Sequence, residues 1–397
     1  MEPTVPTMRP TALSPVRTNC AAPARCLIMR TCLPVLLVAA TLIEVTPAMA
    51  RSVEVRIDAS LADYIVEFSC SGKDIDEDWL RGSRLLQTQI RHHAGNAPHL
   101  TMDAFVAGAR AAARCEVLDP DPYRFRYVVE DRESIARAVA YFKAHERELA
   151  AFVGEKTSAY FPPERTYAGD IVIVAASFSC GGFSMDGAFY IDLPCVAGAV
   201  DDEFEAVKTL AAHETYHALQ YTFFAPFSED IAAVESADAA QAFLFLNLLL
   251  EGTAEYVADS RDVPGEGQLA RILRRFAERG YRQLDEHFRW LDYAATVLAE
   301  DRGSNRRIRD IYDFGFTGGN GQPFYYVGTR MARQIEDVFG REALVCIIAQ
   351  SPEQFVLAYH AASGSDGQAQ TYPIGPAALA AARKLAVDTE AFRSCLK

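Results

Sequence analysis

The stretch Leu210-Ala-Ala-His213-Glu214-Thr-Tyr-His217-Ala-Leu-Gln220 constrains this chain more than any other, because it sets two histidines and a glutamate inside a helical pattern. A helix repeats every 3.6 residues, so His213 and His217 project from one face, one turn apart, with Glu214 beside them. Two imidazoles at that spacing can hold one tetrahedral zinc. Zinc in a hydrolase takes three protein ligands and keeps a fourth position for water, whose pKa it lowers toward neutrality. Glu214 stands where the general base for that water must stand. Asp201 and Asp202 are placed to cap this helix, and Glu203 and Glu205 in its first turn suit the positive end of its dipole. Phe204, Val207, Leu210 and Ala211 supply an apolar stripe. Such flanks weigh against a solvated helix with two free histidines, since buried and unpaired His and Glu would be costly.

Downstream, residues 231–259 read as one long helix, or two with a break. They include Phe243-Leu-Phe-Leu-Asn-Leu-Leu-Leu250 followed by Glu251-Gly-Thr-Ala-Glu255-Tyr256. A carboxylate at the end of so apolar a run needs a partner, and a zinc ion is one. His213-Glu214-x-x-His217, followed 34 residues later by Glu251-Gly252, resembles the gluzincin group of zinc metallopeptidases. The resemblance runs over residues 169–259 and a later Tyr-rich helix, and the chain is similar to exported proteins described as zinc-dependent peptidases. It implies His213, His217 and Glu251 as zinc ligands and Glu214 as the base. It also implies for Glu255 the acidic position that orients a zinc-binding histidine, although the family commonly has Asp there. Such a carboxylate fixes the imidazole tautomer and raises its basicity. Asp259 is a weaker candidate for that job, and the plain alternative for Glu255 is a surface residue near a helix end.

Residues 167–180 read as a strand and residues 188–192 as a second. The glycines between them suggest a hairpin. The expected fold is therefore α+β and mostly helical. Its core is zincin-like and catalytic, with a small antiparallel sheet beside the HExxH helix. By resemblance, the strand next to that helix binds an extended substrate as a further strand, a mode that leaves selectivity to side-chain pockets. The same residues also suit an ordinary structural hairpin. Further on, Phe324-Tyr325-Tyr326 opens another helix. Negative charge developing on an attacked carbonyl needs a donor besides zinc. By position and resemblance, Tyr326 or Tyr325 is the candidate, with His360 competing. His92, His93 and His99 lack helical ligand spacing and are expected on the surface.

The first 50 residues have the layout of a signal peptide: Arg30, an apolar run of about 12 residues, too short to span a bilayer comfortably, and Ala48-Met49-Ala50 as a small-x-small cleavage site. Met29 would make a more ordinary start than Met1. The expected organisation is a signal peptide over 1–50, an N-terminal α+β region over 51–163, the catalytic core over 164–260, and a helical region over 261–397 completing the cleft. Of 39 basic and 53 acidic residues, four Arg and two Glu lie in the leader, which leaves 35 and 51 and a net charge of −16. That balance argues against nucleic acid and anionic membrane surfaces as partners. Three of nine cysteines lie in the leader. The remaining six suit an oxidising compartment and allow fifteen pairings, of which Cys180 with Cys195 is favoured across the expected hairpin.

These features point to an exported, periplasmic or secreted zinc peptidase acting on peptide or protein substrates, without stable membrane insertion after signal cleavage. A zinc hydrolase of a non-protein amide or ester is the neighbouring alternative. From a different class, a zinc- or peptide-binding protein without catalysis also fits, although Glu214 beside an open metal position argues against it.

Overall fold

Alternating apolar residues at Val53, Val55 and Ile57 build a first strand whose inward side is buried and whose Glu54 and Arg56 face outward. In the computed structural model, the described residues are 53–94, 97–178, 181–197, 200–224, 231, 234–300, 305–365, 372–386 and 393–396. The expected leader over 1–50 lies outside them, as does the expected pairing of Cys180 with Cys195.

After β1 (Val53–Asp58) the chain makes seven helices: α1 (Ser60–Phe68), α2 (Glu77–Gly82), α3 (Arg84–Ala94), α4 (Met102–Ala113), α5 (Phe125–Glu130), α6 (Arg132–Ala144) and α7 (Glu146–Ser158). Three strands follow, β2 (Tyr167–Val174), β3 (Gly182–Met185) and β4 (Ala188–Asp192). The remaining long elements among the described residues are helices: α8 (Val200–Phe224), α9 (Ala237–Val257), α10 (Gln268–Arg282), α11 (Leu284–Glu300), α12 (Asn305–Phe316), α13 (Pro323–Phe339), α14 (Arg341–Ile348), α15 (Pro352–Ser365) and α16 (Pro376–Leu385). The α+β, mostly helical class is as expected. No helix among the described residues is long and apolar enough to cross a membrane.

The sheet differs from the expected antiparallel one. Its order is β1-β2-β4-β3; β2 pairs in parallel with both β1 and β4, and only β3 and β4 are antiparallel. The hairpin turn is Asp186-Gly187, both with positive φ, and not the segment between β2 and β4. After β2 the chain passes to the far edge, runs back as β3, turns tightly, and inserts β4 between them. A two-residue turn can join only antiparallel neighbours, which leaves β2 and β4 parallel.

Register sorts the side chains into two faces. Ile171, Phe189 and Ser184 align on one and Val172, Tyr190 and Phe183 on the other. The first face meets α8 in a core that includes Ile171, Ile173, Phe189, Phe204, Val207 and Ala211. The second is covered by α3, where Leu85 packs on Val172, Val174, Phe183 and Tyr190. Helix α3 is clamped to the hairpin turn and to the segment that follows β2. Thr88 Oγ1 and Arg91 reach Asp186 in the turn, while Gln89 Nε2 donates to Ala176 O at 2.8 Å.

A second core is built without strands, mainly by helices, around Phe245, Leu248, Leu249, Phe324, Val327, Met331, Phe355 and Tyr359. Its central element, α9, is apolar nearly all round and therefore buried. It crosses α13 at paired glycines: a Cβ on Gly252 would stand 2.3 Å from Gly328 Cα, and one on Gly328 2.3 Å from Leu248 O. Only two glycines let these backbones approach so closely. Disulfides join Cys70 to Cys115 and Cys346 to Cys395.

Candidate metal centre

Helix α8 belongs to the first core through Val207, Ala211, Tyr216 and Leu219, and it presents His213 and His217 on the side facing α9. There the two Nε2 atoms lie 3.1 Å apart, and Glu251 Oε2 from α9 lies 3.1 Å from the His217 nitrogen and 3.5 Å from that of His213. Zinc bonds of about 2.0–2.1 Å at tetrahedral angles hold ligand atoms about 3.3 Å apart, so these three atoms are spaced as one face of such a site. Among the described residues, this is the one group of three or more His, Cys, Asp or Glu able to share an ion.

The charges agree with that geometry. Burial opposes a charged His217, yet the adjoining Glu251 carboxylate outweighs it and holds the imidazole up to about 10. Burial likewise disfavours ionised Glu251, but the two imidazoles pull it well below the usual carboxylate range. A buried carboxylate facing two imidazole nitrogens asks for positive charge between them, either a proton or a cation. The donor set therefore fits zinc.

Both imidazoles have polar groups behind them, at hydrogen-bond distance only for His217. Gln220 Nε2 donates to Leu250 O and Thr253 Oγ1, which assigns its Oε1 toward His217 Nδ1 at 2.8 Å. That ring nitrogen must then carry the proton, leaving Nε2 free to coordinate. Glu255 is buried, accepts from Ser260 N and Oγ, and lies 3.8 Å from His213 Nδ1. That is too long for a hydrogen bond and close enough for charge. Burial pushes its carboxyl up to about 7. Asp259 instead pairs with Arg261 and Arg333.

Glu214 lies toward the sheet. Ser184 Oγ on β3 is 2.7 Å from its carbonyl and 3.0 Å from its carboxylate, and its single proton can serve either. Tyr325 stacks parallel to His213 with ring centroids 5.8 Å apart, and its hydroxyl bonds Glu251. Burial, then Glu251, raises its pKa far above the ordinary value. Tyr326, the next residue round the helix, turns away to pack on Tyr281 and Gly280 in the second core. His360 is exposed beside Arg383 on α16.

Glu214, His217, Glu251, Ser184 and Tyr325 line an open cleft of about 290 Å³ whose walls come from α3, β3, α8, α9, α12 and α13. Sequence reasoning missed several residues in and behind the cleft. Gln220 follows His217 by three residues on the same face, a signal that was available. Asn247, buried in the apolar run one turn before Glu251, was another. His92 and His93 correct an expectation: His93 is buried against Ser177 at 3.1 Å, and His92 lines the cleft. Only His99 is exposed as expected.

A family model described as "Putative zinc dependent peptidase (DUF5700)" matches residues 87–368, the span that carries every residue of the cleft. No curated protein and no solved structure matches the chain.

Proposed function

This chain belongs to that zinc-dependent peptidase family, and we propose that it hydrolyses peptide bonds in the manner of a gluzincin, with zinc held by His213, His217 and Glu251. The observation that carries the reading is the convergence of three ligand atoms 3.1–3.5 Å apart from two helices, with Glu214 beside them in an open cleft.

Bound zinc supplies a Lewis acid that polarises a substrate carbonyl and acidifies water. Glu214 takes the proton from the attacking water and passes it to the leaving amine. Ser184 keeps its carboxylate aimed, through a hydrogen bond that costs no reach into the cleft. Tyr325 turns its hydroxyl from Glu251 to the carbonyl oxygen as negative charge grows there. Gln220 fixes the His217 tautomer, and Glu255 steadies His213 by charge. The open edge of β3, the last strand of the sheet, takes the substrate as an added strand. Two disulfides support an exported, oxidising setting.

The test is zinc content and proteolysis of residues 51–397 beside three variants. Wild type and Glu214→Gln should each hold about one zinc, His217→Ala and Glu251→Ala should hold none, and Glu214→Gln should lose at least about 10³-fold in kcat. Absence of zinc from the reconstituted wild type would end the reading.

A further inference from the structure

The N-terminal helices have no part in the metal chemistry, yet one of them reaches the cleft. His92, near the end of α3, lies flat on Phe183 of β3 with ring centroids 3.9 Å apart and planes 8° apart. Phe183 in turn stacks on Tyr190, centroids 4.7 Å and planes 6° apart. This three-ring stack stands on the α3 face of the sheet, because Phe183 aligns with Tyr190 and Val172 while its neighbour Ser184 points to Glu214 on the other face. The imidazole is fixed in orientation by the stack and by the clamp of α3 on the hairpin. One face lies on Phe183, and among the described residues no hydrogen bond occupies its ring nitrogens.

A peptide added along the edge of β3 alternates its side chains between the two faces of the sheet. One set enters the α8 face, toward Glu214 and the ligands. The other set falls on the α3 face, where Phe183 and His92 line the cleft and His92 is the one of the two with hydrogen-bonding atoms. We propose that His92 forms a side-chain subsite that selects an amide or hydroxyl side chain on the substrate residue facing α3, and that the N-terminal region thereby sets specificity. This rests on the peptidase reading above and on substrate pairing with β3.

The chemistry selects that class. Among the described residues the imidazole edge is free of protein hydrogen bonds, and burial favours its neutral form, which offers one donor and one acceptor, the complement of an amide or hydroxyl. Glu214 and Glu251 in the same cleft disfavour an acidic side chain. An aliphatic one would leave both ring nitrogens without partners.

The experiment is cleavage of a randomised peptide library by the zinc-loaded chain, with sites read by mass spectrometry, for wild type, His92→Phe and His92→Ala. The wild type should favour Gln, Asn, Ser or Thr over Leu at alternate positions. His92→Phe, which keeps the stack, should lower the Gln-to-Leu ratio of kcat/KM by about tenfold, the worth of roughly one hydrogen bond. Binding of the same peptides to Glu214→Gln, followed by fluorescence anisotropy without turnover, should rank them in the same order. An unchanged ratio in both His92 variants overturns the subsite, and so does wild-type selection of aliphatic or acidic residues there, which needs no variant to fold. If zinc-loaded wild type cleaves nothing, the peptidase reading itself falls, a result separate from cleavage with the wrong preference.

Discussion

The two cores differ in how they are held together and in what they lend to the cleft. The first is organised by a sheet whose β1–β2 pairing joins Val53 to Tyr167 across more than a hundred residues, with α8 laid on one face and α3 on the other. The second is helical, centred on α9 and α13 in backbone contact at Gly252 and Gly328. From the first come His213, His217, Glu214, Ser184 and His92; from the second come Glu251, Asn247, Tyr312 and Tyr325. Neither half can bind the ion alone with three ligands. The contrast teaches that the cleft is a seam, so its stability should report on how the halves are joined.

The largest expected effect tests whether the halves unfold as one. Each disulfide lies within one half, closing loops with separations of 45 and 49 residues. Loop-closure entropy gives each about 4 kcal/mol. Cys70→Ser with Cys115→Ser, and separately Cys346→Ser with Cys395→Ser, should shift one common denaturation transition by similar amounts. Two transitions, each moved by only one pair, would show that the halves are independent.

Next come the glycines. Gly252→Ala drives a Cβ into the backbone of α13 and should destabilise by about 3 kcal/mol. It should also weaken zinc binding, because Glu251 precedes it and Tyr325 lies one turn before Gly328. Gly108→Ala in the first half meets first a side chain, Phe125, and not a backbone, so it should cost less and leave zinc affinity unchanged. Denaturant melts and competitive zinc titration read both.

A smaller effect belongs to Gln220, which ties His217 of one half to Leu250 and Thr253 of the other. Gln220→Ala should lower zinc affinity by about 10- to 100-fold while the fold survives. A loss confined to stability would mean that Gln220 braces the seam without setting the tautomer.

The smallest is a pH effect present in both halves. His93 in the first and His287 in the second are both pushed down to about 4, chiefly by burial. As pH falls below about 6.5 the unfolded chain takes up these protons while the folded chain does not. Their stabilising contribution is therefore full above that pH and declines between about 6.5 and 4. His93→Gln and His287→Gln should each flatten the fall in stability over that window, measured as the difference from wild type in urea melts.

Much of this molecule was legible in its residues. The helical character of α8, the juxtaposition of His213 with His217, and the need of Glu251 for a partner follow from spacing and hydrophobicity within short windows. An i, i+4 pair shares a helix face whatever surrounds it. The mostly helical α+β class follows from the same local periodicities.

Other features depended on contacts between distant segments. Strand order was one: hydrophobic alternation marks strands but carries no record of which pair, so the parallel β2–β4 neighbours were misread as a hairpin. The choice between Tyr325 and Tyr326 was another. Adjacent helical residues point about 100° apart, and the rotation of α13 is set where its Gly328 meets Gly252 of α9, a contact that the α13 sequence alone does not reveal. The place of His92 depended on α3 docking to a hairpin almost a hundred residues away. Local sequence determines which face a side chain shares, and only packing decides what that face meets.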